Sequence, residues 1–196
     1  MKLTGNTWKY GDDVNTDVIF PGKYTYTMTN IADFKKVALE DLDPDFAKQV
    51  RSGDIVVGGK NFGCGSSREQ AAVCFKMCGV KVIIAKSFAR IFFRNCVNNG
   101  VLPVVCPEAV DAIEKGDEVT VDLESNTVQV LSAKSLVLSN ELPARRTQDL
   151  GLRTFPFPPL SKSVTDIIDA GGLILMLRKK LGTEHMPMPE VKFSAE

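Results

Sequence analysis

A glycine-rich segment at residues 58–69 carries the residue types best suited to chemistry. It reads GGKNFGCGSSRE, so four glycines within eight positions are followed by Ser66, Ser67 and Arg68. Glycine allows positive φ angles and lets the backbone approach a ligand that a side chain would block. A planar guanidinium matches the two oxygens of a carboxylate. The segment therefore predicts a site for a small carboxylic acid.

A strand and a helix are predicted on either side of this loop. Residues 54–57 (DIVV) are typical of a short buried strand, and residues 68–78 carry apolar side chains at helical spacing. The loop would then end at the positive N-terminus of a helix, where free N–H groups favour an anion. The same positive charge would stabilise an alkoxide, which makes Ser66 a candidate base.

A purely structural interpretation of the two serines stays open. Ser66 and Ser67 each precede a Glu or Gln by three positions, as in a capping box, where the serine oxygen accepts a hydrogen bond at the helix start. The segment is neither a phosphate-binding P-loop nor a dinucleotide fingerprint, because the required lysine and third glycine are missing.

Three motifs in order along the chain resemble the swivel domain of the aconitase superfamily. They are GCGSSRE at residues 63–69, KSFARIFFRN at residues 86–95 and GVLP at residues 100–103. The segment GDDVNTDVIFP at residues 11–21 resembles the family's opening, and AGGL at residues 170–173 resembles its closing helix. The chain is thus similar to the free-standing small subunits of the 3-isopropylmalate dehydratases, and the resemblance spans most of its length.

The resemblance implies an α/β fold, a single swivelling β/β/α domain of the aconitase C-terminal type with a mixed sheet flanked by helices. This domain is expected over residues 1–182, followed by a disordered tail at residues 183–196. The implied activity is a hydro-lyase reaction on a hydroxy di- or tricarboxylic acid. In this family a large subunit carries a [4Fe-4S] cluster, and the small subunit supplies the base and part of the carboxylate pocket.

By match of motif, Ser66 is expected to be the base that abstracts the substrate proton. Ser67 and Arg68 are expected to bind a substrate carboxylate. Asp17 matches an acidic active-site position of the family, although a turn residue would explain it equally well. The expected partner is the large iron–sulfur subunit, in a heterodimer or heterotetramer.

The loop after Pro21 departs from the family pattern. Chains specialised for isopropylmalate often show Tyr-Leu-Arg-Thr there, whereas residues 24–27 of this chain read YTYT. Tyr24 and Tyr26 are therefore candidate substrate-binding residues, and a phenol cannot pair with charge as a guanidinium does. 3-Isopropylmalate is the expected substrate, with homoaconitate, 2,3-dimethylmalate and citramalate or citraconate as alternatives. The structural alternative is that both tyrosines belong to an exposed strand.

The five cysteines do not have the spacing of a metal site. Cys74 and Cys78 would share one helical face and, like Cys96, suit a core, while the only histidine, His185, falls in the expected tail. Iron–sulfur ligation needs three or four thiolates at defined spacings. We therefore expect no metal or cofactor bound by this chain and a cluster in the partner.

Composition favours an ordinary cytoplasmic enzyme subunit. Among 196 residues the formal net charge is zero, so neither a nucleic-acid nor an anionic-membrane partner is expected. The longest apolar run, residues 173–177, is too short to span a bilayer, and the first residues do not resemble a signal peptide.

The remaining pattern predicts strands and helices in alternation, then a hairpin. A strand at residues 80–85, a helix at 87–99 and a strand at 101–105 imply parallel pairing, because parallel strands need such crossovers. Strands at residues 119–123 and 127–131 flank a short turn and read as an antiparallel hairpin.

Three further segments complete the expected fold. A helix is expected at residues 31–42, a surface excursion at 138–160, and a helix from 161 to about 181 interrupted by two glycines. Arg145, Arg146 and Arg153 of the excursion are expected in a solvated loop, with contact to the partner as the alternative. Arg90 and Arg94 are expected to play a structural role on their helix, with a substrate-facing role as the alternative.

Two functions of different classes remain. One is a hydro-lyase subunit completed by an iron–sulfur partner, and the other is a free-standing module that binds a carboxylate without chemistry. Loss of hydroxide needs a Lewis acid or a strong general acid. The sequence offers a candidate base and a carboxylate-binding arginine but no such group, and the first function explains this because the partner would supply it.

Overall fold

A computed structural model of the chain describes residues 1–131 and 151–187. Seven strands form one sheet; they are β1 (Lys2–Lys9), β2 (Ile55–Gly58), β3 (Val82–Ala85), β4 (Leu102–Val105), β5 (Glu118–Asp122), β6 (Thr127–Leu131) and β7 (Leu152–Pro156). Their order across the sheet is β4-β3-β2-β1-β5-β6-β7. The mixed α/β architecture expected from the sequence is thereby confirmed.

The sheet has a parallel half and an antiparallel half, and β1 is the strand between them. Thr7 of β1 pairs with Ile55 of the parallel neighbour β2, while Thr4 pairs with Thr120 of the antiparallel neighbour β5. β2, β3 and β4 run parallel, and β5, β6 and β7 form an antiparallel meander. The predicted crossover units and hairpin are both confirmed.

Helices connect and cover the strands. The α-helices are α1 (Thr16–Ile19), α2 (Phe46–Gln49), α3 (Glu69–Met77), α4 (Arg90–Asn98), α5 (Pro107–Ala112), α6 (Lys162–Asp169) and α7 (Leu173–Leu181). Two 3-10 helices lie at Gly22–Tyr24 and Ile31–Val37. Consecutive residues of β2 point to opposite faces, so Val56 packs into one apolar core while Ile55 and Val57 pack into another. Because both faces are covered, the strand is apolar throughout.

The helix predicted at residues 31–42 is shorter and tighter than expected. The 3-10 helix ends at Val37, Ala38 leaves the helical conformation with a ψ of 121°, and Leu39 takes a positive φ of 57°. Leu39 is completely buried, and its N–H donates to the Ile19 carbonyl at 3.1 Å. Burial of this leucine against α1 therefore overrides the helical pattern.

The predicted surface excursion at residues 138–160 is wrong for its second part, which contains strand β7. Phe155 of β7 pairs with Val128 of β6, and the Arg153 guanidinium donates to the Ala112 carbonyl. Arg145 and Arg146 lie outside the described residues. The strand ends at Pro156, which suits an edge position, since proline cannot donate to a further strand.

The C-terminal helical region consists of α6 and α7, separated by Gly171 and Gly172, as the sequence predicted. Residues 183–187 turn back against α7, where the Arg178 guanidinium donates to the carbonyls of Thr183 and Glu184. The rest of the expected tail, residues 188–196, lies outside the described part. Within residues 1–131 and 151–187, no helix is long and apolar enough to cross a membrane.

Candidate functional site

Three chain segments meet where the parallel strands end. The glycine-rich loop, defined as residues 59–68, follows β2 and lies between residues 11–17, which follow β1, and residues 86–89, which follow β3. The Thr16 N–H donates to the Cys64 carbonyl at 2.8 Å, and the Phe62 N–H donates to the Ser87 carbonyl at 2.9 Å. Ligands of open α/β sheets bind outside the carboxyl ends of the strands. The loop thus occupies the edge where a ligand is expected.

The glycine-rich loop is anchored through Phe62 and Gly63. The Phe62 ring is buried, with its centroid 5.8 Å from that of Phe92 on α4. Gly63 has a φ of 76°, and a Cβ at this position would lie 2.1 Å from Cγ of Phe92. Only glycine fits here, because the backbone is left-handed and already touches a ring.

Ser66 has a fixed backbone and a free hydroxyl. Its carbonyl accepts hydrogen bonds from the Thr16 hydroxyl and from the Arg68 N–H, both at 2.8 Å. The side chains of Ser66 and Ser67 are exposed and make no hydrogen bond to the described part of the chain. Ser66 can therefore present its Oγ to a ligand without first giving up an internal partner.

The alternative of a capping box at the two serines is wrong. The N-cap of α3 is Arg68, and no side chain among the described residues caps this helix. Oε1 of Glu69 accepts instead from Nδ2 of Asn99 at 3.0 Å, so this carboxylate does not reach back to the helix start. The Glu69 and Gln70 N–H groups donate to none of the described residues and are left for a ligand or for water.

Arg68 and Asp17, both predicted site residues, form an ion pair. Nη1 of Arg68 lies 2.7 Å from Oδ1 of Asp17 and also donates to Oγ1 of Thr25 at 3.2 Å. Gly22 borders the guanidinium, since a Cβ there would lie 3.1 Å from Nη1. Nη2 and Nε hydrogen-bond to nothing in the described residues, and the arginine side chain is 24% exposed. The protein therefore orients the guanidinium through Nη1, while the edge formed by Nη2 and Nε is free for a carboxylate.

Three contributors to this geometry were not singled out from the sequence: Thr16, Gly22 and Thr25. Their contacts span segments far apart along the chain, and an isolated threonine or glycine carries no pattern. Only the position of Gly22 and Thr25 within the loop after Pro21 could have pointed to them.

Tyr24 and Tyr26 lie in the 3-10 helix and the turn that follows it, so the alternative of an exposed strand is wrong. The Tyr24 hydroxyl donates to Oε2 of Glu40 at 3.2 Å. Oε1 of the same carboxylate lies 2.5 Å from Nζ of Lys23. The Tyr26 side chain is 68% exposed. The loop after Pro21 is thus fastened at Tyr24 and open at Tyr26.

Other polar and charged residues near the loop differ in whether they contact its neighbouring segments. Nδ2 of Asn61 donates to Oδ1 of Asp13 at 2.8 Å, so Asn61 links two of the three segments. Arg90 and Arg94 are exposed on α4 and form no ion pair with the described residues. An ion pair therefore does not provide the structural role expected for these two arginines within that part of the chain.

The cysteines do not form a ligand set. Cys64 lies in the loop, where burial and then the charge of Asp13 raise its pKa, so it remains a thiol at neutral pH. The other four are buried in the two cores, with Cys74, Cys78 and Cys96 in one core and Cys106 in the other. Among the described residues, no group of three His, Cys, Asp or Glu could hold a metal ion. These residues do not fit an iron–sulfur cluster.

Comparison with known proteins identifies the family. Residues 11–109 match the family model of the aconitase C-terminal domain. The chain is 45% identical over 184 residues to the 3-isopropylmalate dehydratase small subunit of Aquifex aeolicus, covering 94% of this chain and 99% of the relative. It is 44% identical to 3-isopropylmalate dehydratase small subunit 2 of Archaeoglobus fulgidus, covering 91% and 96%.

A solved structure agrees with these relatives. The crystal structure of 3-isopropylmalate dehydratase (LeuD) from Methanocaldococcus jannaschii matches with a TM-score of 0.77 at 36% identity, covering 94% of this chain and 98% of that one. Sequence and fold therefore agree along nearly the whole chain. The chain belongs to the aconitase C-terminal domain family and, within it, to the small subunits of 3-isopropylmalate dehydratase.

Proposed function

We propose that this chain is the small subunit of a two-subunit hydro-lyase that dehydrates and rehydrates 3-isopropylmalate in leucine biosynthesis. The relatives that carry this name are 45% and 44% identical to the chain and align over at least 91% of it. The partner is a large subunit, which brings the [4Fe-4S] cluster, in a heterodimer or heterotetramer in the cytoplasm. The cluster is assigned to the partner because the described residues of this chain offer no ligand set.

One observation carries the proposal. Arg68, which is paired with Asp17, lies two residues from the exposed hydroxyl of Ser66 in the glycine-rich loop. Asp17 holds Nη1, so the remaining edge of the guanidinium can bind a substrate carboxylate with two parallel hydrogen bonds. Ser67 and the uncapped start of α3 can supply further donors. The site thus recognises an acid rather than a neutral alcohol.

Ser66 is proposed as the base. Its Oγ would accept the proton from the carbon beside the bound carboxylate during dehydration and return it during rehydration. The alkoxide needed for this step is favoured by the Arg68 charge and by the N-terminus of α3. The two hydrogen bonds to the Ser66 carbonyl keep the backbone in place while the proton moves.

Tyr24 and Tyr26 are proposed to line the part of the site that meets the rest of the substrate. Tyr26 is exposed and free to contact a ligand, whereas Tyr24 shapes the loop through Glu40. An apolar isopropyl group suits an aromatic contact better than an additional carboxylate would. This favours 3-isopropylmalate over homoaconitate as the substrate.

The test is turnover by the purified chain mixed anaerobically with the iron–sulfur large subunit from its own source. The acids compared are 3-isopropylmalate, citraconate, 2,3-dimethylmaleate and homoaconitate. Activity with 3-isopropylmalate in the mixture, and in neither subunit alone, is expected. Activity with another of the four would reassign the substrate. If none of the four acids is turned over, although the cluster is loaded and the complex has formed, the chain would be a carboxylate-binding module and not an enzyme subunit.

A further inference from the structure

Thr25 joins the loop after Pro21 to the carboxylate clamp. Its Oγ1 accepts a hydrogen bond from Nη1 of Arg68 at 3.2 Å, and the same nitrogen donates its second hydrogen to Asp17 at 2.7 Å. A guanidinium Nη carries two hydrogens, so both are engaged. Either contact alone would leave the arginine a choice of orientations; together they fix the plane of the fork.

We infer that Thr25 is a positioning residue for substrate binding, which sets the orientation of Arg68 relative to the loop that carries Tyr26. The inference rests on the proposed function, in which Arg68 binds a substrate carboxylate. Thr25 acts through Arg68 and is not itself a catalytic residue.

The geometry of the loop supports this role. The segment is held from the other side by the Tyr24 hydroxyl and the Lys23 ammonium, which both contact Glu40. Tyr24 is held by Glu40 and Thr25 is held by Arg68. The position of the next residue, the exposed Tyr26, is therefore restricted. Thr25 thereby links the position of Arg68 to that of the neighbouring Tyr26.

Thr25→Val removes the hydroxyl and keeps the shape, while Thr25→Ser keeps the hydroxyl. The chain offers a matched control, Thr27→Val, because the Thr27 hydroxyl donates to the Lys23 carbonyl in the same loop. In the reconstituted complex, we expect Thr25→Val to raise KM for 3-isopropylmalate about tenfold with kcat within about twofold, as for a lost hydrogen bond to a charged group. Thr25→Ser and Thr27→Val should stay near the wild-type KM.

A double-mutant comparison separates positioning from a general effect on the loop. In an Arg68→Lys background, Thr25→Val should add less than about twofold to KM, because the contact that it removes is already altered. A full tenfold increase in that background, or an equal rise in KM for Thr25→Val and Thr27→Val, would overturn the inference.

A second measurement does not depend on turnover. In the isolated chain, the ¹⁵N signal of the Arg68 guanidinium can be assigned by its loss in Arg68→Lys. Thr25→Val should shift and broaden this signal, and Thr27→Val should leave it unchanged; an unchanged signal in Thr25→Val overturns the inference. If the signal responds but the wild-type complex turns over none of the acids, the proposed function fails while the contact between Thr25 and Arg68 stands.

Discussion

Oδ1 of Asp17, in the first turn of α1, lies 2.7 Å from Nη1 of Arg68, the N-cap of α3. The pair joins the segment after β1 to the end of the glycine-rich loop. Asp17 is 45% exposed, so solvent screens the attraction and the pair adds little to folding stability. Its effect is to orient the guanidinium.

Replacement of Asp17 by Asn should therefore separate binding from stability. We expect Asp17→Asn to change the free energy of unfolding by less than about 1 kcal/mol, while KM for the substrate rises because Arg68 loses its charged partner. Urea unfolding of the chain and steady-state kinetics of the complex check both parts. Asp33→Asn is the matched control, since Asp33 pairs with Lys36 at 2.6 Å away from the loop and should leave KM unchanged.

Ser66→Ala should abolish measurable turnover in the complex and leave folding intact. Removal of a general base typically costs on the order of 10²–10⁴ in rate, and the Ser66 side chain makes no hydrogen bond to residues 1–131 or 151–187 whose loss would affect the fold. Ser67→Ala, next to it and equally exposed, should retain kcat and raise KM. Turnover of Ser66→Ala at the wild-type rate would remove Ser66 as the base.

Gly63→Ala should destabilise the chain far more than Gly65→Ala. Both glycines have positive φ, 76° and 90°, so an alanine is strained at either. At Gly63 the new methyl would also collide with the Phe92 ring, whereas at Gly65 its nearest neighbour is Cβ of Asn15 at 3.4 Å. We expect a loss of about 3 kcal/mol or more for Gly63→Ala and about 1 kcal/mol for Gly65→Ala, measured by urea unfolding. Equal losses would show that the loop moves away from Phe92.

Cys64 should be alkylated slowly in the native chain. Its pKa is raised by burial and by Asp13, so at pH 8 less of it is thiolate than in an ordinary cysteine. The rate at which iodoacetamide alkylates Cys64 should keep rising above the pH at which the alkylation rate of free cysteine levels off. Asp13→Asn should lower the pKa and speed the reaction at pH 8. The other four cysteines are buried, so one label per native chain is expected, and labelling of Cys64 at the rate of free cysteine would contradict the assignment.

The parts of the fold that the sequence predicted well have strong local signals. β2 and β3 are rich in β-branched residues, and α3, which lies between them, has apolar residues at helical spacing. The order and type of these three elements could therefore be predicted. β7 was missed because the segment Leu152–Pro156 has little alternation and ends in proline. Its pairing with β6 is a tertiary effect that a single segment does not reveal.

The candidate site was predictable only in part, for a similar reason. The motif of residues 63–69 pointed to Ser66, Ser67 and Arg68, whose proposed roles stay predictions. The capping box was wrong because α3 begins at Glu69, so Arg68 rather than a serine is its N-cap. The contact between Thr25 and Arg68 joins two loops that are far apart in sequence. Such contacts depend on the folded path of the chain and leave no spacing to recognise.

The place of β1 between the two halves of the sheet bears on how the chain folds. Both neighbours of β1 come from later in the sequence, so its hydrogen bonds can form only after long stretches of chain have been closed into loops. Contacts of this kind slow folding, because the entropy of loop closure is lost before the pairing compensates for it. Until that moment β2 and β5 each have an unpaired edge, and those edges are where an incompletely folded chain would be open to aggregation.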